Sequence, residues 1–332
     1  MKRHFFIILC LGALAGFSME RAASGQEPAA ERRAMKYAPG TPKEALLWQQ
    51  EVRTRILSLL KMDDLIAIRT SIALEPALLK SERLDDFTRQ EWEIRSTPSR
   101  KGRAIKIALT VPHGPKPPYP AVVSIHGHGG SRSSVYDSSG IYKGFAEELA
   151  GKGYVTIACD GGQHRIYERG RTLMGERLWD LIRCVDFLHS LAYVDKGRIG
   201  CAGLSLGGEM AMWLGAMDQR IAAVVSAGFL TEMDQMEQNH CMCWKFDGLR
   251  ELVDFADIYS MIAPRPLQCQ NGIQEPETQF YVPLAKKAFR EIQVIYKDFG
   301  ILENAELDVH EGGHEIDLPA LLQFFEKALK NP

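Results

Sequence analysis

Past Phe17, no stretch of these 332 residues stays apolar for the roughly 20 residues that a bilayer-spanning helix needs. One-sided charge is also missing. Forty Lys and Arg stand against 42 Asp and Glu, which excludes an electrostatic nucleic-acid binder. There is no internal repeat and no low-complexity linker, so a single catalytic domain is the economical organisation. No lipobox is well placed, because Cys10 lies inside the N-terminal apolar run. That run, Phe5 to Phe17, follows Lys2, Arg3 and His4 and precedes the small residues Ala22 to Gly25. Basic start, short apolar middle and small-residue end are the form of a secretory signal over residues 1–25. The expected product is an extracytoplasmic, soluble chain with no stable membrane insertion.

About 300 residues then remain, enough for one large α/β core. Residues 26–40 are rich in Ala, Glu, Arg and Pro and read as a disordered tail. In the segment 41–119, Pro42 opens a helix near Lys43–Lys61, whose inner face is expected to carry Leu46, Leu47, Ile56, Leu59 and Leu60. Phe87–Arg95 and Arg103–Val111 read as an edge hairpin. From residue 120 to 332 the pattern alternates. Strands are expected at Ala121–Ile125, Tyr154–Cys159, Arg198–Ala202, Ile221–Ala227, Pro266–Gln270 and Ala305–His310. Helices between and after them are expected at Ile141–Ala150, Glu176–Leu191, Glu209–Met217, Val282–Tyr296 and Leu318–Leu329. Continuous apolar strands separated by helices imply a mostly parallel sheet covered on both faces, as in an α/β-hydrolase fold. The alternation breaks at about 231–263, which reads as a cap over a pocket, with a helical pattern near Leu249–Phe255.

The chemistry centres on Ile199–Met210, where an apolar strand runs into Gly203-Leu204-Ser205-Leu206-Gly207 and on into a helix. Glycine two before and two after a serine permits a strand-to-helix turn too tight for side chains. Such a turn lifts the hydroxyl above the sheet and offers the amide of Leu206 to a developing oxyanion. The serine needs a base, and the base an orienting acid, in the chain order serine, acid, histidine. Beyond the cap only His310 and His314 follow. His310 ends a strand, whereas His314 lies in the loop Gly312-Gly313-His314 and is the expected base. The acid is expected in Asn271–Pro276 as Glu275, with Glu277 and Asp257 as alternatives. In His126-Gly127-His128-Gly129-Gly130 the amide of His128, or next that of Gly129, is expected to complete the oxyanion hole.

Around this centre, His164 and Arg165 after the strand ending at Cys159, and Trp244 in the cap, are candidate substrate contacts. Asp160 is expected to brace loops. Cys159, Cys184 and Cys201 read as buried thiols. Cys241 or Cys243 enters a disulfide, or both stay as packed thiols, since a metal would want more nearby ligands and wider spacing than C-x-C supplies. His126 and His128 likewise lack an evident third ligand in the sequence, so no metal is expected.

With these residues in place the chain resembles the acetyl xylan esterase-like α/β-hydrolases, close to the dienelactone hydrolase-related group. The resemblance runs from about Pro120 to the C-terminus. It rests on Ile125–Ser131, Val194–Gly208, Asp257–Pro266 and Gly312–His314. It implies hydrolysis of carboxylic esters, often acetyl esters of carbohydrates, without a cofactor. Two departures stand out. Glu275 replaces the more usual Asp, and Ser205 stands where dienelactone hydrolases proper use cysteine. The expected reaction is acyl transfer to Ser205 followed by hydrolysis of the acyl-enzyme. A peptidase, an esterase for non-sugar acyl groups, or a non-catalytic binding module with the same fold are the alternatives. Oligomeric state is not readable.

Overall fold

Strands whose residues are apolar in unbroken runs have to be covered on both sides. The computed structural model, which describes residues 33–98, 104–114, 116–238 and 240–330, shows how this chain does it. Strands β1 (Ala77–Arg83), β2 (Phe87–Arg95), β3 (Ala104–Pro112), β4 (Tyr119–Ile125) and β5 (Val155–Cys159) form one half of the sheet. Strands β6 (Val194–Leu204), β7 (Ala223–Ala227), β8 (Leu267–Gly272) and β9 (Ala305–His310) form the other. Their order is β1-β2-β3-β5-β4-β6-β7-β8-β9, antiparallel from β1 to the β3–β5 pair and parallel from β5 onward.

Alternate residues of the central strands feed two cores. Val123, Ile157, Cys201 and Val224 face helices α1 (Pro42–Leu59), α4 (Leu173–Ser190), α5 (Leu206–Met217) and α9 (Val282–Asp298). Val122, Ala158, Ala202 and Val225 face α3 (Phe145–Gly151) and α10 (Leu318–Phe325). The short helix α2 (Asp63–Ile68) follows α1. Between β7 and β8 the chain makes α6 (Met233–Met236), α7 (Leu249–Leu252) and α8 (Phe255–Ser260). β4 leads to β5 on one side and β6 lies on the other, so the strand order reverses between β4 and β6. The loops leaving the carboxyl ends of those strands therefore diverge and leave a crevice, the usual ligand position in open α/β sheets.

Several expectations need correcting. Residues 33–40 are no tail: Arg33 is ion-paired with Asp257 at 2.7 Å, the Met35 amide bonds the Leu252 carbonyl, and the Tyr37 hydroxyl bonds Asp298. Leu46 and Leu47 point outward, 52 % and 57 % exposed, because α1 buries the stripe Ala45, Gln49, Val52 and Ile56 instead. The helix expected from Ile141 starts only at Phe145, since Lys143 and Gly144 both take positive φ. The edge strand β1 was not foreseen; every one of its residues is exposed, so it carries no burial pattern. The signal-like stretch 1–25 lies outside the described residues. Among those described, no helix is long and apolar enough to cross a membrane.

Candidate active site

The turn from β6 into α5 leaves Ser205 at φ 63°, ψ −125°, a sparsely populated conformation for a residue with a side chain. Its amide bonds the carbonyl of Ala227, which fixes the turn against β7. A Cβ on Gly203 would collide with the carbonyl of Gly207, and one on Gly207 with the carbonyl of Ile125. Both glycines are thus required by close backbone approach. Leu206 is the first residue of α5, so its amide has no carbonyl four residues back within the helix.

The base and acid candidates arrive from the neighbouring strand ends. The loop after β8 and the loop after β9 are tied to each other: the Ile273 amide bonds the His310 carbonyl, and the Gln274 amide bonds that of Gly312. Gln274 Nε2 adds a bond to the Glu311 carbonyl at 2.7 Å. This holds Glu275 and His314 together, with Nδ1 of the imidazole 2.8 Å from Oε1 of a carboxylate whose side chain is fully buried. With Nδ1 donating to the carboxylate, Nε2 is left without a proton and free to accept one. Phe280 stacks on the His314 ring at 5.4 Å. Gly228, at φ +55°, leaves the ring its space: a Cβ there would lie 2.9 Å from His314 Cε1.

The alternative acids are elsewhere. Asp257 is buried against Arg33 and accepts from the amide of Asp254, the residue that caps α8, and Glu277 contributes its backbone carbonyl to Gln235. His310 Nδ1 accepts from the Gly312 amide. The loop after β4 is braced by His126, whose Nε2 accepts from the Gly161 amide while Nδ1–H donates to the Gly127 carbonyl. Both nitrogens are used and burial lowers its pKa, so His126 is a neutral structural residue. Gly127 donates its amide to the Tyr142 hydroxyl at 2.7 Å. Among the described residues, the amides of His128 and Gly129 have no backbone partner. Asp160 braces Arg132 through its backbone amide and its guanidinium.

Ser205, Leu206, His128 and His314 line one cavity of about 200 Å³. Sequence reasoning missed much of the remaining wall, which includes Glu209, Phe229, Met236, His240 and Phe280. Glu209 lies one turn after Ser205 on α5, a spacing that the sequence does display. Burial pushes its carboxyl up to about 8, against the opposing pull of Arg177. Burial, with His164 and Arg177 nearby, pushes the His128 imidazole down to about 4, so it is neutral. None of the three expected substrate contacts lines the wall. Trp244 is 1 % exposed and packs on Phe255 in the core, and Arg165 projects outward over the Tyr167 ring. His164 lies beside the cavity mouth, its Nε2 3.3 Å from Cys241 Sγ. The Met233–Trp244 part of the expected cap contributes Met236, His240, Cys241 and Cys243 to the wall. A larger groove of about 540 Å³ opens at the amino ends of β6–β8, past Arg198, Gln268 and Lys327, and pairs no nucleophile with a base.

A mostly parallel sheet carrying a serine on a strained strand-to-helix turn, with a histidine–carboxylate pair from the last two strand ends, defines an α/β-hydrolase. The chain belongs more narrowly to the BD-FAE family, whose model matches residues 107–282. YtaP of Bacillus subtilis (strain 168), a protein named as a hydrolase, is 26% identical over 223 residues, 59% of this chain and 73% of its own length. A CE15 glucuronoyl esterase from Teredinibacter turnerae T7901 superposes with a TM-score of 0.68 at 15% identity, covering 91% of this chain and 88% of that one. Acetyl xylan esterase from Paenibacillus sp. R4 does so at 0.59 and 17% identity, over 91% and 100%. At these identities the structural likeness is one of fold.

Proposed function

We propose that this chain is a serine carboxylesterase that removes acetyl or other short acyl groups from carbohydrate esters. The observation that carries the proposal is the 2.8 Å bond from His314 Nδ1 to buried Glu275, opening on the same cavity as the strained Ser205. In the proposed reaction Ser205 Oγ attacks the ester carbonyl and gives its proton to His314 Nε2. The amides of Leu206 and His128 (or Gly129) receive the oxyanion; one such donor is typically worth ~10²–10³ in rate. His314 then protonates the departing alcohol. Water, losing its proton to the same nitrogen, releases the acid and restores the serine. Glu275 fixes the imidazole tautomer and stabilises the imidazolium.

The cavity volume of about 200 Å³ supports a short acyl group. Pockets for drug-sized ligands run to ~300–1,000 Å³. The names of the acetyl xylan and glucuronoyl esterases of like fold support a carbohydrate ester. The basic, apolar and small-residue order of residues 1–25 supports export, and hence a polymer or its fragments outside the cytoplasm as substrate.

Acetate release from 4-nitrophenyl acetate and from acetylated xylan, wild type beside Ser205→Ala, tests this reading. Turnover of both, lost in the variant, is the expected result. Turnover of the small ester alone removes the xylan assignment, and serine-independent turnover removes the mechanism.

A further inference from the structure

Four side chains with the chemistry of metal ligands meet at the mouth of the cavity. His128 comes from the loop after β4, His164 from the loop after β5, and Cys241 and Cys243 from the chain after α6. One ligand atom from each lies within 4.8 Å of all the others. His128 Nε2 is 3.2 Å from Cys243 Sγ, and His164 Nε2 is 3.3 Å from Cys241 Sγ. The two imidazoles stack at 5.1 Å. We propose that His128, His164, Cys241 and Cys243 form a tetrahedral zinc site that joins the cavity's cap segment to the two loops facing it.

The dimensions fit. Zinc bonds of about 2.3 Å to sulfur and about 2.0–2.1 Å to nitrogen give tetrahedral edges of about 3.3 Å between nitrogens, 3.6 Å between nitrogen and sulfur, and 3.8 Å between sulfurs. The two sulfur–nitrogen contacts are already slightly inside that edge. The widest pair needs to close by on the order of 1 Å, within the reach of side-chain torsions. Charge fits as well: two thiolates and two neutral imidazoles balance a divalent ion, and zinc deprotonates a coordinating thiol. Arg177 Nη1 donates to Cys243 Sγ at 3.4 Å, the kind of outer hydrogen bond that orients a thiolate ligand.

The placement of the cysteines also departs from their usual fate. Cys159, Cys184, Cys201 and Cys269 are buried, as cysteines mostly are, whereas Cys241 is exposed and Cys243 half-buried. Each of these two sulfurs rests on a different histidine. A set of two sulfurs and two nitrogens selects zinc among the common divalent ions, and four protein ligands make a closed, structural site. The ion thus takes no part in acyl transfer. It fixes the loop whose His128 amide borders Ser205, and with it the shape of the cavity entrance.

The test is metal analysis of the full chain, purified without chelator or reductant and freed of any polyhistidine tag. One zinc per chain is expected in the wild type and in Ser205→Ala, and its loss in Cys241→Ser and Cys243→Ser. Removing zinc lowers the melting temperature, and added zinc restores it in a concentration-dependent way. Should the serine variants not fold, cobalt titration of reduced, metal-free wild type decides instead. Thiolate-to-cobalt charge transfer and the intense visible bands of a tetrahedral ion are expected. Substoichiometric zinc together with no cobalt spectrum overturns the proposal, as does a stoichiometric Cys241–Cys243 disulfide in the native chain. Metal content is read without substrate, so the esterase reading and the zinc site stand or fall separately.

Discussion

Gly228→Ala puts the proposed base under a defined strain. The new Cβ would lie 2.9 Å from His314 Cε1, 3.0 Å from Nδ1 and 2.9 Å from Leu204 Cδ1. Carbon atoms rest at about 3.5–4.0 Å, so the neighbours must retreat by on the order of 0.5–1 Å. Leu204 offers the end of a flexible side chain. The imidazole has less freedom, being bonded to Glu275 on one edge and stacked on Phe280. A displacement of 1 Å in a catalytic group costs on the order of 10² in rate. The positive φ of residue 228 adds about 1–2 kcal/mol of instability once a Cβ is present. Gly300→Ala separates the two effects: Gly300 has φ +73°, and a Cβ there meets nothing within 4 Å. The expected outcome is that both variants lose a few degrees in melting temperature while only Gly228→Ala loses on the order of 10² in kcat/KM for 4-nitrophenyl acetate. Equal activity in the two variants would refute the placement of His314 as the base.

Three further outcomes follow from the same geometry. Glu275→Gln should lower kcat by on the order of 10³–10⁴ with KM little changed, because an amide supports the wrong imidazole tautomer; a loss under tenfold contradicts the role. Glu209 holds its proton to about pH 8 when folded but only to about 4.5 otherwise, so between these values the folded chain binds more protons and stability falls as pH rises. At 1.36 kcal/mol per pH unit that loss is bounded at about 5 kcal/mol, and Glu209→Gln should flatten the decline in melting temperature between pH 5 and 8. Arg33→Ala strands the buried carboxylate of Asp257 and should cost roughly 3–5 kcal/mol by urea denaturation, whereas a change within 0.5 kcal/mol would mean that the 33–40 segment adds nothing.

The surroundings of Ser205 were legible in the sequence because local rules dictate them. Gly203 and Gly207 are forced by backbone contact on either side of Ser205, and the runs Ala121–Ile125 and Ala223–Ala227 are buried throughout. Glu275 and His314 followed from topology, since each stands in the loop after one of the last two strands. What failed is what local pattern does not encode. Strand β1 is exposed along its whole length and pairs only with β2, so neither alternation nor an apolar run announces it. Trp244 read as a pocket aromatic because it lies in the expected cap, but its ring is buried against Phe255. The gathering of His128, His164, Cys241 and Cys243 was invisible for a plainer reason. The ligands stand on three loops up to 115 residues apart, and only the strand order brings those loops together.

The central claim is that Ser205 is an activated nucleophile, and covalent labelling tests it most directly. The native chain should react with a serine-directed fluorophosphonate to one adduct per molecule, located by peptide mass spectrometry on Ser205 and slowed strongly in His314→Ala. No adduct on the folded chain, or an adduct on another serine, would contradict the account.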